Sequence, residues 1–229
     1  MYENLTEKNY NAIANIENKF VGERIFIIGS GPSLLDTNFD SIKNEILFGV
    51  NRLFLGYEEF GINCKFYAAS DPNIDYLPNI LNLDTCLFLG HGALDNYIKN
   101  IMLKDIKVNK NPLLLPLLGW MWEKDGKFSK NLTRGTFNGW TIICDIPLQA
   151  AYYMGFEEVY LLGCDWDFSK QSHFYDTKTN TNDPLFYERS FKSYKVCKKV
   201  YEDDGRKIIN VTPNTKLDVF ERSTLEEII

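Results

Sequence analysis

A glycine-rich loop follows the first apolar run of the chain. It consists of Gly29, Ser30, Gly31, Pro32 and Ser33. Gly29 and Gly31 lack a Cβ atom, so the backbone there can come close to a ligand. Pro32 suits the first turn of a helix, and N–H groups at a helix start attract anions such as phosphate. The loop matches neither the full dinucleotide fingerprint nor the Walker pattern. It predicts a phosphate site to which the two serines add hydroxyls, or else a tight turn without a ligand.

Small or polar residues also follow the other apolar runs. They are Asn51, Asp71 with Asn73, Gly163 with Asp165, and Thr212. If these runs are parallel strands, their carboxyl ends meet at one edge of the sheet, where ligands of such folds bind. We therefore expect these residues to form a nucleotide site together with the glycine loop. For Thr212 and the neighbouring Asn214, a plain turn around Pro213 is the alternative.

Two histidines are candidates for a general base. His173 lies in a polar segment after the Asp165 strand, and an imidazole with a pKa of about 6.5 can accept a hydroxyl proton at neutral pH. His91 also follows an apolar run and is the rival candidate; an exposed loop histidine without a role is the alternative for His173. A leaving phosphate needs hydroxyls or cations nearby. The candidates for that role are Tyr175, Tyr187, Arg134 and Arg189.

Asp165 and Asp167 form a D-x-D pattern around Trp166. Carboxylates in such a pattern can hold Mg²⁺ or Mn²⁺ together with a phosphate. Two aspartates so close together are also common by chance. We expect that no metal cofactor is required and that Asp165 accepts a hydrogen bond from a ribose or sugar hydroxyl.

The order of elements predicts one α/β domain. Apolar runs at residues 24–28, 46–50, 66–70, 85–89, 158–162 and 207–211 read as strands. Helical patterns cover residues 2–20, 140–154, 187–203 and 224–229. Because most of the runs are apolar throughout, they indicate a mostly parallel, Rossmann-like sheet with helices on both faces and a nucleotide site at the carboxyl ends of the strands. We expect a single domain over residues 1–229, with an insertion around residues 97–135.

Composition excludes several classes of protein. The 229 residues carry a net charge of −6, which argues against broad nucleic-acid binding. No apolar signal segment opens the chain and no run reaches the length of a membrane span, so we expect a cytoplasmic protein. The apolar segment at residues 112–122 is buried, or else makes an interfacial contact such as peripheral membrane association. Five scattered cysteines predict neither disulfides nor a zinc site.

Four blocks of the sequence resemble the DUF115 superfamily. They read GSGPSL, VNRLFL, GFEEVYLLGCDWDF and NVTPNTKLDVFER, and they lie between residues 25 and 54 and between residues 154 and 222. The superfamily includes bacterial sialyltransferases of glycosyltransferase family 42 and archaeal 6-hydroxymethyl-dihydropterin diphosphokinases. The resemblance implies an enzyme that binds a nucleotide in a Rossmann-like fold.

The sialyltransferase branch is the more similar of the two. Asn51 after the second strand matches it, and Asp71-Pro72-Asn73 approximates its N-P-S turn. The acidic T-D-L-D-G block of the pterin kinases is not present here. Two positions differ from the family pattern, since Ser30 and Asp71 stand where the family has Asn. The family's catalytic histidine lies beyond the F-D-T-K block, and this chain has no histidine beyond Tyr175.

The resemblance implies a glycosyltransferase. Such an enzyme moves a sialic-acid-like or related sugar from a nucleotide-sugar donor, a CMP-sugar, to a glycan hydroxyl in surface polysaccharide or lipooligosaccharide synthesis. A pterin-type diphosphokinase that uses ATP and Mg²⁺ is one alternative. A non-catalytic subunit that binds nucleotide-sugar or glycan is another, because the family's histidine is missing. A homo-oligomer is compatible with the resemblance.

Overall fold

A computed structural model describes residues 2–102, 111–167, 171–175 and 183–229. Within these ranges, eight strands form one parallel sheet in the order β10-β9-β8-β1-β2-β3-β4-β5, and β6 and β7 form a separate parallel pair. The strands are β1 (Arg24–Ile28), β2 (Leu47–Val50), β3 (Phe66–Ala69), β4 (Cys86–Gly90), β5 (Leu113–Leu115), β6 (Leu117–Trp120), β7 (Thr136–Asn138), β8 (Glu158–Leu162), β9 (Lys207–Asn210) and β10 (Glu221–Arg222). The predicted fold class is confirmed, and all six predicted strands are present.

Helices surround the sheet. They are α1 (Tyr2–Ala14), α2 (Tyr57–Phe60), α3 (Leu77–Leu81), α4 (His91–Met102), α5 (Ile142–Asp145), α6 (Pro147–Met154), α7 (Pro184–Asp203) and α8 (Leu225–Ile228). Three short 3-10 helices add to them at Pro32–Asp36, Phe39–Ser41 and Leu53–Gly56.

The central strand β1 is buried on both faces, as a parallel sheet requires. Ile25 and Ile27 belong to one hydrophobic core, which also holds Leu148 of α6. Phe26 and Ile28 point to the other core, which includes Leu77 of α3 and Leu225 of α8. Alternate residues of one strand thus anchor the helices on opposite sides of the sheet.

Two of the predicted helices differ most from the observed ones. The helix predicted over residues 2–20 ends at Ala14, because the following turn bonds to α6 instead: Asn18 N–H donates to Tyr153 O and Phe20 N–H donates to Met154 O. The helix predicted over residues 140–154 is two helices, α5 and α6. The break falls at Pro147, which lacks the N–H needed to continue a helix.

The segment expected to be an insertion, residues 97–135, contributes to the sheet. Its residues Leu113–Leu115 form the edge strand β5, which pairs with β4. Residues 103–110 of this segment lie outside the described ranges. Among the described residues, no helix combines the length and the apolar character needed to cross a bilayer.

Candidate functional site

A cleft of about 440 Å³ opens where β1, β2, β3 and β8 end. This is the edge at which the sequence placed a nucleotide site, since ligands of parallel sheets bind beyond the carboxyl ends of the strands. Predicted site residues that line the cleft are Gly29, Ser30, Gly31, Asn51, Asp71, Gly163, Asp165 and His173. Among the described residues, predicted positions outside its lining are Pro32, Ser33, Asn73, Tyr175 and Thr212.

The glycine loop binds a carboxylate of its own chain. Ser33 donates to Asp165 twice, from its backbone N–H to Oδ1 at 3.1 Å and from its hydroxyl to Oδ2 at 2.7 Å. Gly29 N–H and Gly31 N–H donate to Leu162 O and Gly163 O. The Ser33 N–H, which we expected to hold a phosphate, is therefore already engaged by Asp165. Burial raises the pKa of Asp165, and the two Ser33 contacts counter part of that effect.

The two glycines of the loop are needed for close packing against the end of β8. A Cβ atom on Gly31 would lie 1.8 Å from Asp165 Oδ2, and one on Gly29 would lie 2.4 Å from Gly163 O. Both distances are far below van der Waals contact. The space that these glycines leave is thus occupied by residues 163–165 of the same protein.

His173 is fixed to the glycine loop at the cleft wall. Its Nδ1 lies 2.9 Å from Ser30 Oγ, and the N–H of the next residue, Phe174, donates to Ser30 O at 2.9 Å. The imidazole stacks on Tyr175, with ring centroids 5.1 Å apart and planes inclined by 5°. The predicted base therefore lines the cleft, while Tyr175 stacks on its ring and lies outside the lining.

His91, the rival base, does not line the cleft. It opens α4 with a φ of +50°, and neither ring nitrogen has a hydrogen-bond partner among the described residues. Burial lowers the pKa of His91 to about 4, so the ring is neutral at physiological pH. Its position does not support a role as base.

Asp145 is the main cleft residue that the sequence analysis missed. Its carboxylate accepts from Ser70 Oγ and from Gly139 N–H, each at 2.7 Å. Burial raises the pKa of Asp145 to about 7. The available signal was a single carboxylate in the apolar stretch Ile-Ile-Cys-Asp-Ile-Pro-Leu, where a charged residue is unexpected unless it has partners. The neighbouring Asn138, Trp140 and Thr141 also line the cleft.

The remaining candidates contact other parts of the protein. Thr212 Oγ1 accepts from Cys164 N–H at 3.0 Å, so Thr212 supports the end of β8. Asp167, the second carboxylate of the D-x-D pattern, pairs with Lys216 at 2.8 Å. Arg189 lies over Trp140, with 4.6 Å from its guanidinium carbon to the ring centroid, and Tyr187 contacts Trp166. Arg134 is exposed. The described residues hold no group of three or more metal-ligating side chains.

Comparisons with known proteins identify a sequence family and a solved structure of similar fold. The profile of the family described as 6-hydroxymethylpterin diphosphokinase MptE-like matches residues 1–171. Among solved structures, the MAf glycosyltransferase from Magnetospirillum magneticum AMB-1 is similar, with a TM-score of 0.50 and 12% sequence identity. The alignment covers 96% of this chain and 38% of that protein, so the chain spans well under half of its length. None of the curated proteins matches the sequence significantly.

Proposed function

We propose that this chain, which belongs to the 6-hydroxymethylpterin diphosphokinase MptE-like family, is a glycosyltransferase. Its donor is a CMP-linked, sialic-acid-like sugar, and its acceptor is a glycan hydroxyl in surface polysaccharide or lipooligosaccharide synthesis. The observation that carries the proposal is the position of His173, which the Ser30 contact fixes at the cleft wall beside the glycine loop. A titratable base at the carboxyl edge of a Rossmann-like sheet suits the activation of a hydroxyl.

The donor nucleotide lies against the wall formed by the glycine loop, Asn51 and Asp71. Three carboxyl groups line this cleft, those of Asp71, Asp145 and Asp165, and in their ionised form they would repel an anionic donor. Burial raises the pKa of Asp145 to about 7 and also raises the pKa of Asp165. A raised pKa keeps a carboxyl neutral to a higher pH. The negative potential of the cleft at neutral pH is therefore weaker than three carboxylates suggest.

The reaction is a displacement at the anomeric carbon of the donor. The acceptor oxygen forms the new bond to this carbon while the bond to the phosphate oxygen breaks, and CMP leaves with the electron pair. His173 takes the proton of the acceptor hydroxyl. General base catalysis of this kind contributes roughly 10²–10⁴-fold in rate.

A second candidate is diphosphoryl transfer from ATP to a hydroxymethylpterin. The family match over residues 1–171 favours it, because that range holds the glycine loop and the Asp165 strand end. The two candidates use the same cleft and differ in their donor.

Thermal-shift measurements with CMP, UDP, GDP and ATP, with and without Mg²⁺, separate the two. We expect CMP to stabilise the protein without metal, by about 2.7 kcal/mol at 100-fold saturation. Asp71→Asn should enlarge the CMP shift because it removes a negative charge from the cleft. Asp40→Asn, an equal charge change at an exposed carboxylate outside the cleft lining, should leave the shift unchanged. Stabilisation by ATP with Mg²⁺ alone would overturn the proposal and favour the diphosphokinase.

A further inference from the structure

Three tryptophans form a row that runs from the cleft to the surface. Trp140 lines the cleft. Trp122 packs edge-on against it with a centroid distance of 5.0 Å, and Trp120 follows at 5.0 Å from Trp122. Trp120 is 39% exposed. The three indoles thus contact one another in sequence, from an inner end at the cleft to an outer end at the surface.

The inner end of the row is held in a strained backbone conformation. Trp140 has a φ of +65°, which bulky residues rarely adopt because the side chain crowds the backbone. Trp140 N–H donates to Asn138 Oδ1 at 2.9 Å, and the preceding Gly139 N–H donates to the buried Asp145 carboxylate. These contacts offset the strain and fix the Trp140 backbone beside the cleft.

Arg189 fixes the middle of the row. Its guanidinium carbon lies 4.6 Å from the centroid of Trp140 and 5.3 Å from that of Trp122. A cation over two aromatic faces holds both rings by cation–π attraction. The row is therefore pre-organised, and less side-chain entropy is lost when a ligand binds to it.

The outer end of the row lies on β6, an apolar strand that is open to solvent. Leu117 and Leu118 are 44% and 39% exposed. The pairing of β6 with β7 shifts register between Leu117 and Gly119, and Gly119 has a φ of +144°. Such irregularities re-aim side chains and are common beside functional sites.

We propose that Trp140, Trp122 and Trp120 form the acceptor subsite and bind successive pyranose rings of a glycan chain. The glycan nature of this ligand rests on the proposed function. The C–H face of a pyranose is apolar and carries partial positive charge, so it complements the negative face of an indole, while the ring hydroxyls stay in water. The row starts in the cleft, where the reacting hydroxyl must lie, and leaves the wall assigned to the donor free. An extended row suits a chain of several sugars better than a single nucleobase.

The test measures glycan binding separately from nucleotide binding. An array of immobilised oligosaccharides of two to six sugars, ending in galactose, glucose or N-acetylhexosamine, is probed with the native chain and with Trp120→Ala. We expect binding to the longest glycans that is about tenfold weaker in Trp120→Ala, with disaccharide binding retained, because only the outer contact is lost. Tyr10→Ala, which removes an exposed aromatic on α1, should bind as the native chain does.

Three results would overturn the inference. One is a blank array for the native chain, and another is equal binding of the longest glycans by the native chain and Trp120→Ala. The third is loss of the CMP thermal shift in Trp120→Ala, which would assign the row to the nucleotide. If the native chain and Trp120→Ala show the same CMP shift and neither binds the array, the acceptor subsite is refuted and the proposed function is still supported. Absence of any nucleotide shift removes the proposed function, whereas array binding that depends on Trp120 still supports a glycan site.

Discussion

Replacing Asp145 by Asn should stabilise the fold at alkaline pH. The carboxyl is buried and its pKa is raised to about 7 from an ordinary value of 3.8. Below about pH 4 it is protonated in the folded and the unfolded chain alike. Between about pH 4 and pH 7 only the unfolded chain ionises, so this group lowers the free energy of unfolding as the pH rises. The loss is complete above pH 7 and amounts to about 4 kcal/mol, at about 1.4 kcal/mol per unit of pKa.

Asparagine keeps the local contacts while it removes the charge. Its Oδ1 can accept from Gly139 N–H, and its Nδ2 can donate to Ser70 Oγ, whose hydroxyl both donates and accepts. The stability of Asp145→Asn relative to the native chain should therefore grow by roughly 3 kcal/mol between about pH 5 and pH 8. Asp145→Ala, which leaves both donors without an acceptor, should be less stable than Asp145→Asn by about 1–3 kcal/mol at either pH.

Urea unfolding of the variants and the native chain at these two pH values measures the effect. The variant must be compared with the native chain at each pH, because the contribution of His91 to stability rises with pH over part of the range in which that of Asp145 falls. His91 is present in both proteins, so its contribution cancels in the difference. Asp40→Asn, at an exposed carboxylate, serves as the control and should show no growth of the difference. If Asp145→Asn were less stable than the native chain by the same amount at both pH values, the argument from burial would be refuted.

Three further substitutions test other features of the structure. The stability of His91→Asn relative to the native chain should grow by about 3 kcal/mol as the pH falls from 6.5 to about 4, because the buried ring of the native chain must then gain a proton. Urea unfolding of both proteins across this range measures the difference, and a difference that stays constant would contradict the reasoning. Gly31→Ala should destabilise the fold by about 1–3 kcal/mol, since its Cβ would collide with Asp165, and an unchanged melting temperature would count against that close packing. Ser30→Ala should lower kcat roughly five- to tenfold, because His173 loses the partner of Nδ1; a kcat that matches that of the native chain would remove this role.

The strand ends could be predicted from the sequence because apolar runs and their polar ends are local features. Arg24–Ile28 and Glu158–Leu162 were both placed with their observed bounds. Parallel pairing then brings those ends together without further information. The cleft and eight of its lining residues follow from this rule.

Other features depend on contacts that are distant in sequence. The glycines predict open space beside the loop for a ligand. In the structure that space at Gly31 is filled by Asp165, which also bonds to Ser33 and lies more than a hundred positions away in the sequence. The strand β10 has only two residues, which is too short for a periodic pattern. The apolar pattern around Asp145 predicts one continuous helix, in which this carboxylate does not stand out as a site residue. In the structure the helix breaks at Pro147, and Asp145 is the last residue of α5.

Release of CMP from CMP-sialic acid in the presence of an acceptor glycan is the reaction that we propose for this cleft. His173→Gln can keep a hydrogen bond to Ser30 but cannot take up a proton at neutral pH, so it isolates the role of the base. We expect metal-independent CMP release by the native chain, measured by chromatography, and a decrease of roughly 10²–10⁴-fold in His173→Gln. Undiminished turnover in His173→Gln, or AMP formation from ATP and a hydroxymethylpterin with no release of CMP, would contradict the proposal.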